Sequence, residues 1–296
     1  MPVIGVAIGA HFPPDFLDQA ARWWISLASL VLFVPLAHVM SFVLYHRAGR
    51  IEPRTAFFAA MPGGFIEALE MGEKAGADMS MLIMLQFLRL ILCILFIPLG
   101  FALFAGQAVG SGSGLSLAGG SAPMDARDAV ILLACAVLGW WGAVRLRLPA
   151  AVLAGPLALS ALAHVAGLTQ AAPPGWMVIL TQGVMGTALG ARFSNFERGQ
   201  MLKALALSAA SVFAVLSLAA IFALALADIA GEPAPAVLLA FAPGGLSEMS
   251  LVALSLQLAV IFVTLHHLAR IVLAVIFTRI GLAMMPQLAT PPRQQD

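Results

Sequence analysis

Two stretches of this chain carry the same chemical parts in the same order. Pro62-Gly63-Gly64 is followed by Glu67 and then by Arg89, and Pro243-Gly244-Gly245 is followed by Glu248 and then by Arg270. Proline removes a backbone donor and glycine frees the backbone, so each Pro-Gly-Gly must interrupt a helix. A new helix then starts near Gly64 or Gly245, with unpaired N–H groups and a positive dipole end facing the break. Glu67 and Glu248 fall in its first turn, where a carboxylate can cap the helix, bind a cation or proton, or do both. Arg89 and Arg270 sit near the middle of apolar runs, where an arginine costs about 2.5–3.5 kcal/mol on an insertion scale. Each must face the protein interior and find a partner, and Glu67 and Glu248 are the carboxylates expected to supply it. The bland alternative is a buried ion pair that only fixes packing. Gln86, His266 and His267 lie within a turn of these arginines and extend the polar track. For the histidines, plain helix–helix hydrogen bonds compete with a proton relay.

The elements that hold these parts are membrane spans. Of 296 residues, 61% are hydrophobic and 10% charged, with a formal net charge of +1; a soluble domain carries about 25% charge. That balance excludes a basic nucleic-acid surface. Cys93 and Cys135 each lie within an apolar run, which excludes a disulfide scaffold and a C-x-x-C site. A span needs roughly 20 mostly apolar residues, and residues 23–45, 79–104, 127–144, 149–167, 176–191, 201–227 and 260–284 qualify. Trp23, Trp24, Trp140, Trp141, Trp176 and Tyr45 fall near span ends, which suits the headgroup layer. Residues 105–125 are Gly/Ser-rich and read as a flexible linker, without the spacing of a phosphate-binding loop. The pairs Gly5/Gly9 and Gly186/Gly190 are small-xxx-small motifs that let helices approach closely. No signal peptide is expected at the N-terminus. H-E-x-x-H, G-x-S-x-G and Walker signatures are missing, as is any His/Asp/Glu set with metal spacing. The sequence therefore predicts no catalytic residue, no metal and no cofactor.

A single ungapped shift, the one that carries Pro62 onto Pro243, aligns the two constellations. It also matches Gly5, Ala7, Gly9, Ala10 and Phe12 with Gly186, Ala188, Gly190, Ala191 and Phe193. The expectation is a duplication: a first repeat at 1–104, the linker at 105–125 and a second repeat at 126–296. The first repeat is N-terminally truncated, with only residues 2–11 left of its third span, and a start site set too late explains this better than two lost helices. Residues 46–54 carry Arg47, Arg50 and Arg54 against Glu52, while the matching residues 228–232 are purely acidic. By the positive-inside rule, matching loops lie on opposite sides of the membrane, so the repeats are inverted. Inversion needs an odd number of crossings per repeat. Residues 234–257 must then dip in and return, with Arg145, Arg147, Arg192, Lys203, Arg279 and Arg293 on the cytoplasmic side and the linker outside. The predicted fold is an all-α polytopic membrane protein of inverted-topology repeats with re-entrant or broken Pro-Gly-Gly elements.

Residues 55–100 and 238–275 resemble the duplicated AbrB-type bacterial membrane proteins, whose hallmark is a repeated PGG-x-x-E block followed by a helix with a buried arginine. GTALGAR at 186–192 and LPAAVLAG at 148–155 are similar to the family's earlier helices. The resemblance covers nearly the whole chain and implies a multi-pass protein of the bacterial inner membrane. Its partners would be the lipid bilayer and a small solute or ion, with no nucleic acid; a homo-oligomer is left open. The family takes its name from a membrane regulator affecting gene expression, and many members are labelled ammonia monooxygenases. Both labels are distinct from what the residues suggest, which is a transporter-like midplane site. In that reading Glu67 and Glu248 bind a cation or proton, while Arg89, Arg270 and the helix N-termini favour an anionic group. A regulator or sensor without transport is the competing class, and a monooxygenase a distant third. Gly76-Ala77-Asp78 is replaced by Gln257-Leu258-Ala259 in the second repeat, so the two half-sites are expected to differ.

Overall fold

The computed structural model describes residues 1–12, 16–105, 124–148, 150–191 and 198–288. The expected linker, apart from its ends, and Arg192 and Arg293 lie outside the described residues. Those residues form α1 (Pro2–Gly9), α2 (Phe16–Ala20), α3 (Trp24–Val43), α4 (Pro53–Ala59), α5 (Phe65–Lys74), α6 (Met79–Ala105) and α7 (Ala126–Arg145). They continue with α8 (Ala151–Val165), α9 (Gly175–Gly190), α10 (Arg198–Ala230), α11 (Ala234–Phe241), α12 (Leu246–Ser255) and α13 (Val260–Met284), and no strand occurs among them.

Among the described residues, five helical stretches are long and apolar enough to cross a membrane: Ala21–Ala48, Met79–Leu103, Ala126–Arg145, Gly199–Ala230 and Val260–Met284. In one of the spans expected from sequence, residues 149–167, the helix is shorter, and α9 keeps the 16-residue length expected of residues 176–191. α8 has 15 residues and α9 has 16, which at about 1.5 Å per residue is roughly 22–24 Å against a hydrocarbon layer of about 30 Å. Apolar composition runs on past α8, which stops at a turn with Gly167 at φ +70°. Around the bundle, Leu103, Leu133, Ile221 and Leu224 stand exposed, an arrangement suited to hydrocarbon rather than water.

Several helix bounds recur at the same shift as the sequence motif. Pro53, Phe65–Lys74 and Met79 in the first half reappear in the second as Ala234, Leu246–Ser255 and Val260. Left-handed backbone recurs too: Arg50 (φ 48°) with Gly231 (φ 65°), and Gly76 (φ 74°) with Gln257 (φ 54°). The replaced Gly-Ala-Asp turn thus keeps its shape with a side chain that such a conformation disfavours.

The halves interlock. α3 packs on α13 and α10, while α10 packs on α6 and α11. At their crossing Phe33 lies edge-on to Phe222 and Phe241, with centroids 5.3 and 5.1 Å apart. α1 lies on α8 through Gly5 and Gly9, where a Cβ would fall 2.6 Å from the carbonyl oxygens of Leu153 and Leu157. That contact matches the expected packing role; Gly186, by contrast, has open space beside it. The aromatic belt also needs correction. Trp24, Trp140, Trp141 and Trp176 are exposed as expected, but Trp23 is 3% exposed and Tyr45 is fully buried. Trp23 packs edge-on against Phe262 at 5.3 Å, and Tyr45 joins a buried cluster with Ile51, Ala56, Met84 and Ala204.

Candidate functional site

α4 and α5 form a helical hairpin. The N–H of Asp78 donates to the Thr55 hydroxyl at 2.9 Å, so the chain that leaves α5 returns to the start of α4. Midway, Gly72 of α5 lies against Phe58 of α4. Glu70, Glu73, Lys74 and Asp78 are exposed along this returning arm. α11 and α12 repeat the helix–break–helix pattern and both lie against α13. As the Pro-Gly-Gly segments predict, the second arms start at the glycines: Gly64 is the residue before α5 and Gly245 the residue before α12. The two tips are not equivalent, since Gly64 is left-handed (φ +68°) and Gly245 is extended (φ −75°).

The last carbonyls of a helix have no partner within it and carry the negative end of the dipole. Inside an apolar layer they must be satisfied by the protein. Here the buried arginines do this. Arg89 Nη1 donates to the Met61 carbonyl at 2.6 Å, and its Nη2 to Gln86 Oε1 at 2.6 Å. Gln86 Nε2 lies 3.0, 3.1 and 3.3 Å from the carbonyls of Phe58, Ala59 and Met61. In the second hairpin Arg270 Nη1 donates to the Ala242 carbonyl, and Nη2 reaches the Gly244 carbonyl and His267 Nδ1, both at 2.8 Å. His267 Nε2 bonds the Leu239 carbonyl at 2.9 Å. The shift that aligns the two Pro-Gly-Gly motifs also carries Met61 onto Ala242, Phe58 onto Leu239 and Gln86 onto His267.

The carboxylate partners expected for the arginines are therefore replaced by helix ends. The one salt bridge among the described residues joins Arg54 and Glu52 at 3.9 Å. Glu67 is held elsewhere: its Oε1 accepts the N–H of Ala150, just before α8, at 2.9 Å. Its Oε2 lies over Gly64, and the Glu248 carboxylate likewise folds over Gly245, positions suited to capping. The histidines are committed as well. A carbonyl can only accept, so His267 donates from Nε2 and offers Nδ1 to Arg270 as an acceptor. His266 bonds the Phe262 carbonyl through Nδ1 at 2.7 Å and the Ser26 hydroxyl through Nε2 at 2.9 Å. Both rings serve as hydrogen-bonded struts between helices.

The two halves meet at the tips. A Cβ placed on Gly63 would sit 3.6 Å from Arg270 Nε and 3.6 Å from the Ile271 Cα, so the first tip lies against the middle of α13. No ion pair joins Arg89 or Arg270 to Glu67 or Glu248 among the described residues. A polar cluster that sequence reasoning missed lies beside Arg89. It contains the buried Tyr45, Ser208 (to the Leu85 carbonyl, 3.2 Å) and the Ser41–Ser211 hydroxyl pair at 2.9 Å. Its one signal was the only tyrosine in the chain, which the headgroup reading absorbed.

The sequence pattern of the family described as "Transition state regulatory protein AbrB" matches residues 1–285. The chain belongs to the AbrB family. A relative from Bacillus subtilis (strain 168), "Uncharacterized protein YhjN", is 24% identical over 285 residues, covering 92% of this chain and 74% of its own length. One from Escherichia coli (strain K12), "Putative regulator AbrB", is 23% identical over 254 residues, covering 85% and 71%. No solved structure matches the chain at a significant level.

Proposed function

We propose that this AbrB-family chain is a multi-pass protein of the bacterial inner membrane, built from two inverted repeats around a solute site at the hairpin tips. Pro62, Gly63, Gly64, Glu67 and Arg89 form one half-site; Pro243, Gly244, Gly245, Glu248 and Arg270 form the other. The observation that carries this reading is the arginine-capped helix break, present twice and related by the same shift as the sequence motif. Broken backbone at membrane depth is tolerated only when buried in protein or lining a cavity, and symmetry-related pairs of such breaks mark transport sites. The basic loop with Arg47, Arg50 and Arg54, matched by acidic Asp228 and Glu232, supports inversion. A regulator without transport is favoured by the family description and by the name of the E. coli relative. Transport accommodates that role as an indirect effect of the solute moved.

Two measurements test the proposal. Cysteines placed at positions 50 and 231 should react with an impermeant reagent from opposite faces of the membrane; reaction from one face sinks the inverted repeat. Counterflow of labelled solutes in proteoliposomes should be found for the protein and weakened in Glu248→Gln. A folded, reconstituted protein that moves none of a broad panel of small anions, cations and neutral solutes would leave the regulator reading in place.

A further inference from the structure

We propose that the solute held at the hairpin tips is a small monovalent anion, bound between the Arg270 guanidinium and the first backbone N–H groups of α5. This rests on the transporter-like reading and narrows it to a class of substrate.

Three observations converge. Arg89 is 6% and Arg270 1% exposed, and no carboxylate lies within ion-pair distance of either among the described residues. Two buried guanidinium charges are set against the carbonyl ends of α4 and α11, which supply about half a negative charge each. The N-terminal ends of α5 and α12 supply about half a positive charge each, and the Glu67 and Glu248 carboxylates lie over them; once Glu67 is displaced, roughly one positive charge is left over, which suits a monovalent ligand. Second, Arg270 has donor capacity to spare: its Nε is buried and has no hydrogen-bond partner. Third, that Nε faces Gly63, next to the left-handed Gly64 from which the ten-residue α5 starts. A helix N-terminus and an idle guanidinium donor therefore lie close together where the two halves of the protein meet, an arrangement suited to holding an anion. Glu67 lies over Gly64 and is tied to Ala150. Its carboxylate lies at the N-terminal end of α5, and the solute anion takes that place when it binds.

The decisive variant is Gly63→Ala. Gly63 is not in the left-handed region, and nothing lies closer than 3.6 Å to the added methyl, so the fold should survive while the approach to Nε is filled. Thermal unfolding in detergent is followed as sodium acetate or sodium chloride replaces sodium sulfate at constant ionic strength. The midpoint should rise and saturate with acetate, chloride or both, and the comparison shows whether a carboxylate or a halide fits. Gly63→Ala should weaken that response at least about tenfold, the loss of one charge-assisted hydrogen bond, with an unchanged midpoint in sulfate. Arg270→Lys should also weaken the response, with a lower midpoint in sulfate because the Arg270 hydrogen bonds to the hairpin are not all kept, and Gly100→Ala, which adds a methyl in open space, should leave the response intact. An equal response in Gly63→Ala and the parent overturns the proposal, because the anion then binds elsewhere. A midpoint raised by ammonium or sodium instead, and lost in Gly63→Ala, overturns the anion but keeps a solute site at the tips. If no salt shifts the midpoint, the anion proposal fails, and the counterflow assay alone decides on transport.

Discussion

Replacing Arg270 by leucine separates a helix-capping arginine from an ion-paired one. Arg270 makes three hydrogen bonds, to the Ala242 and Gly244 carbonyls and to His267. Bonds to a charged donor contribute about 1.5–3 kcal/mol each, so their loss costs roughly 4.5–9 kcal/mol. Relief from burying the guanidinium returns about 2.5–3.5 kcal/mol, which leaves a net destabilisation of roughly 1–6.5 kcal/mol. Arg89→Leu removes two bonds, and Gln86 still serves the Phe58, Ala59 and Met61 carbonyls. The same arithmetic runs there from a gain of about 0.5 kcal/mol to a loss of about 3.5 kcal/mol. Denaturant unfolding in mixed micelles should therefore rank Arg270→Leu as the more damaging. A double-mutant cycle adds the partner test. Arg270→Leu with Glu248→Gln should be additive within about 0.5 kcal/mol, whereas Arg270→Leu with His267→Leu should couple by about 0.5–3 kcal/mol. Strong coupling to Glu248 and none to His267 would refute the helix-end assignment.

Gln257 occupies the left-handed position that Gly76 fills in the other half, so Gln257→Gly should add about 0.5–1 kcal/mol and Gly76→Ala should lose about 1 kcal/mol in the same unfolding assay. A loss on Gln257→Gly would mean that the turn is not left-handed. A Cβ on Gly139 would fall 2.6 Å from the Gly155 carbonyl oxygen, while Gly142 has open space. Gly139→Ala should thus part α7 from α8 at a cost of about 1–3 kcal/mol, and Gly142→Ala should be silent or mildly stabilising. Burial pushes the Glu232 carboxyl above the ordinary carboxylate range, against a smaller pull from its hydrogen bond to Trp23. A raised acid binds its proton more tightly when folded, so its contribution is present at low pH and lost as pH rises through the raised value. Glu232→Gln should unfold later than the parent at pH 7 and together with it below about pH 4; a gap that persists in acid would point to lost packing instead.

The hairpin starts were legible because their causes are local. Pro62 and Pro243 break a helix whatever surrounds them, and one ungapped shift carried each break to the next arginine. The partner of that arginine was not legible, because a backbone carbonyl leaves no mark in the sequence. Glu67 and Glu248 were the only nearby residue types that named themselves as counter-ions. Yet the break already implied the answer: a helix that ends inside an apolar layer strands its final carbonyls, and those need a donor that reaches from another helix. Tyr45 failed for the opposite reason. An amphipathic ring near a span end fits the headgroup layer on composition alone, and only the packing of Ala204 on α10 against the same cluster turns it inward. The span length of α8 failed because lipid and protein interior select the same residues, so apolar runs do not register where a helix stops. The same ambiguity bears on the site itself. An arginine that caps a helix end and one that binds a solute have identical sequence contexts. At Arg270 the structure shows Nη1 and Nη2 spent on the hairpin and Nε without a partner, which is the feature the anion proposal rests on.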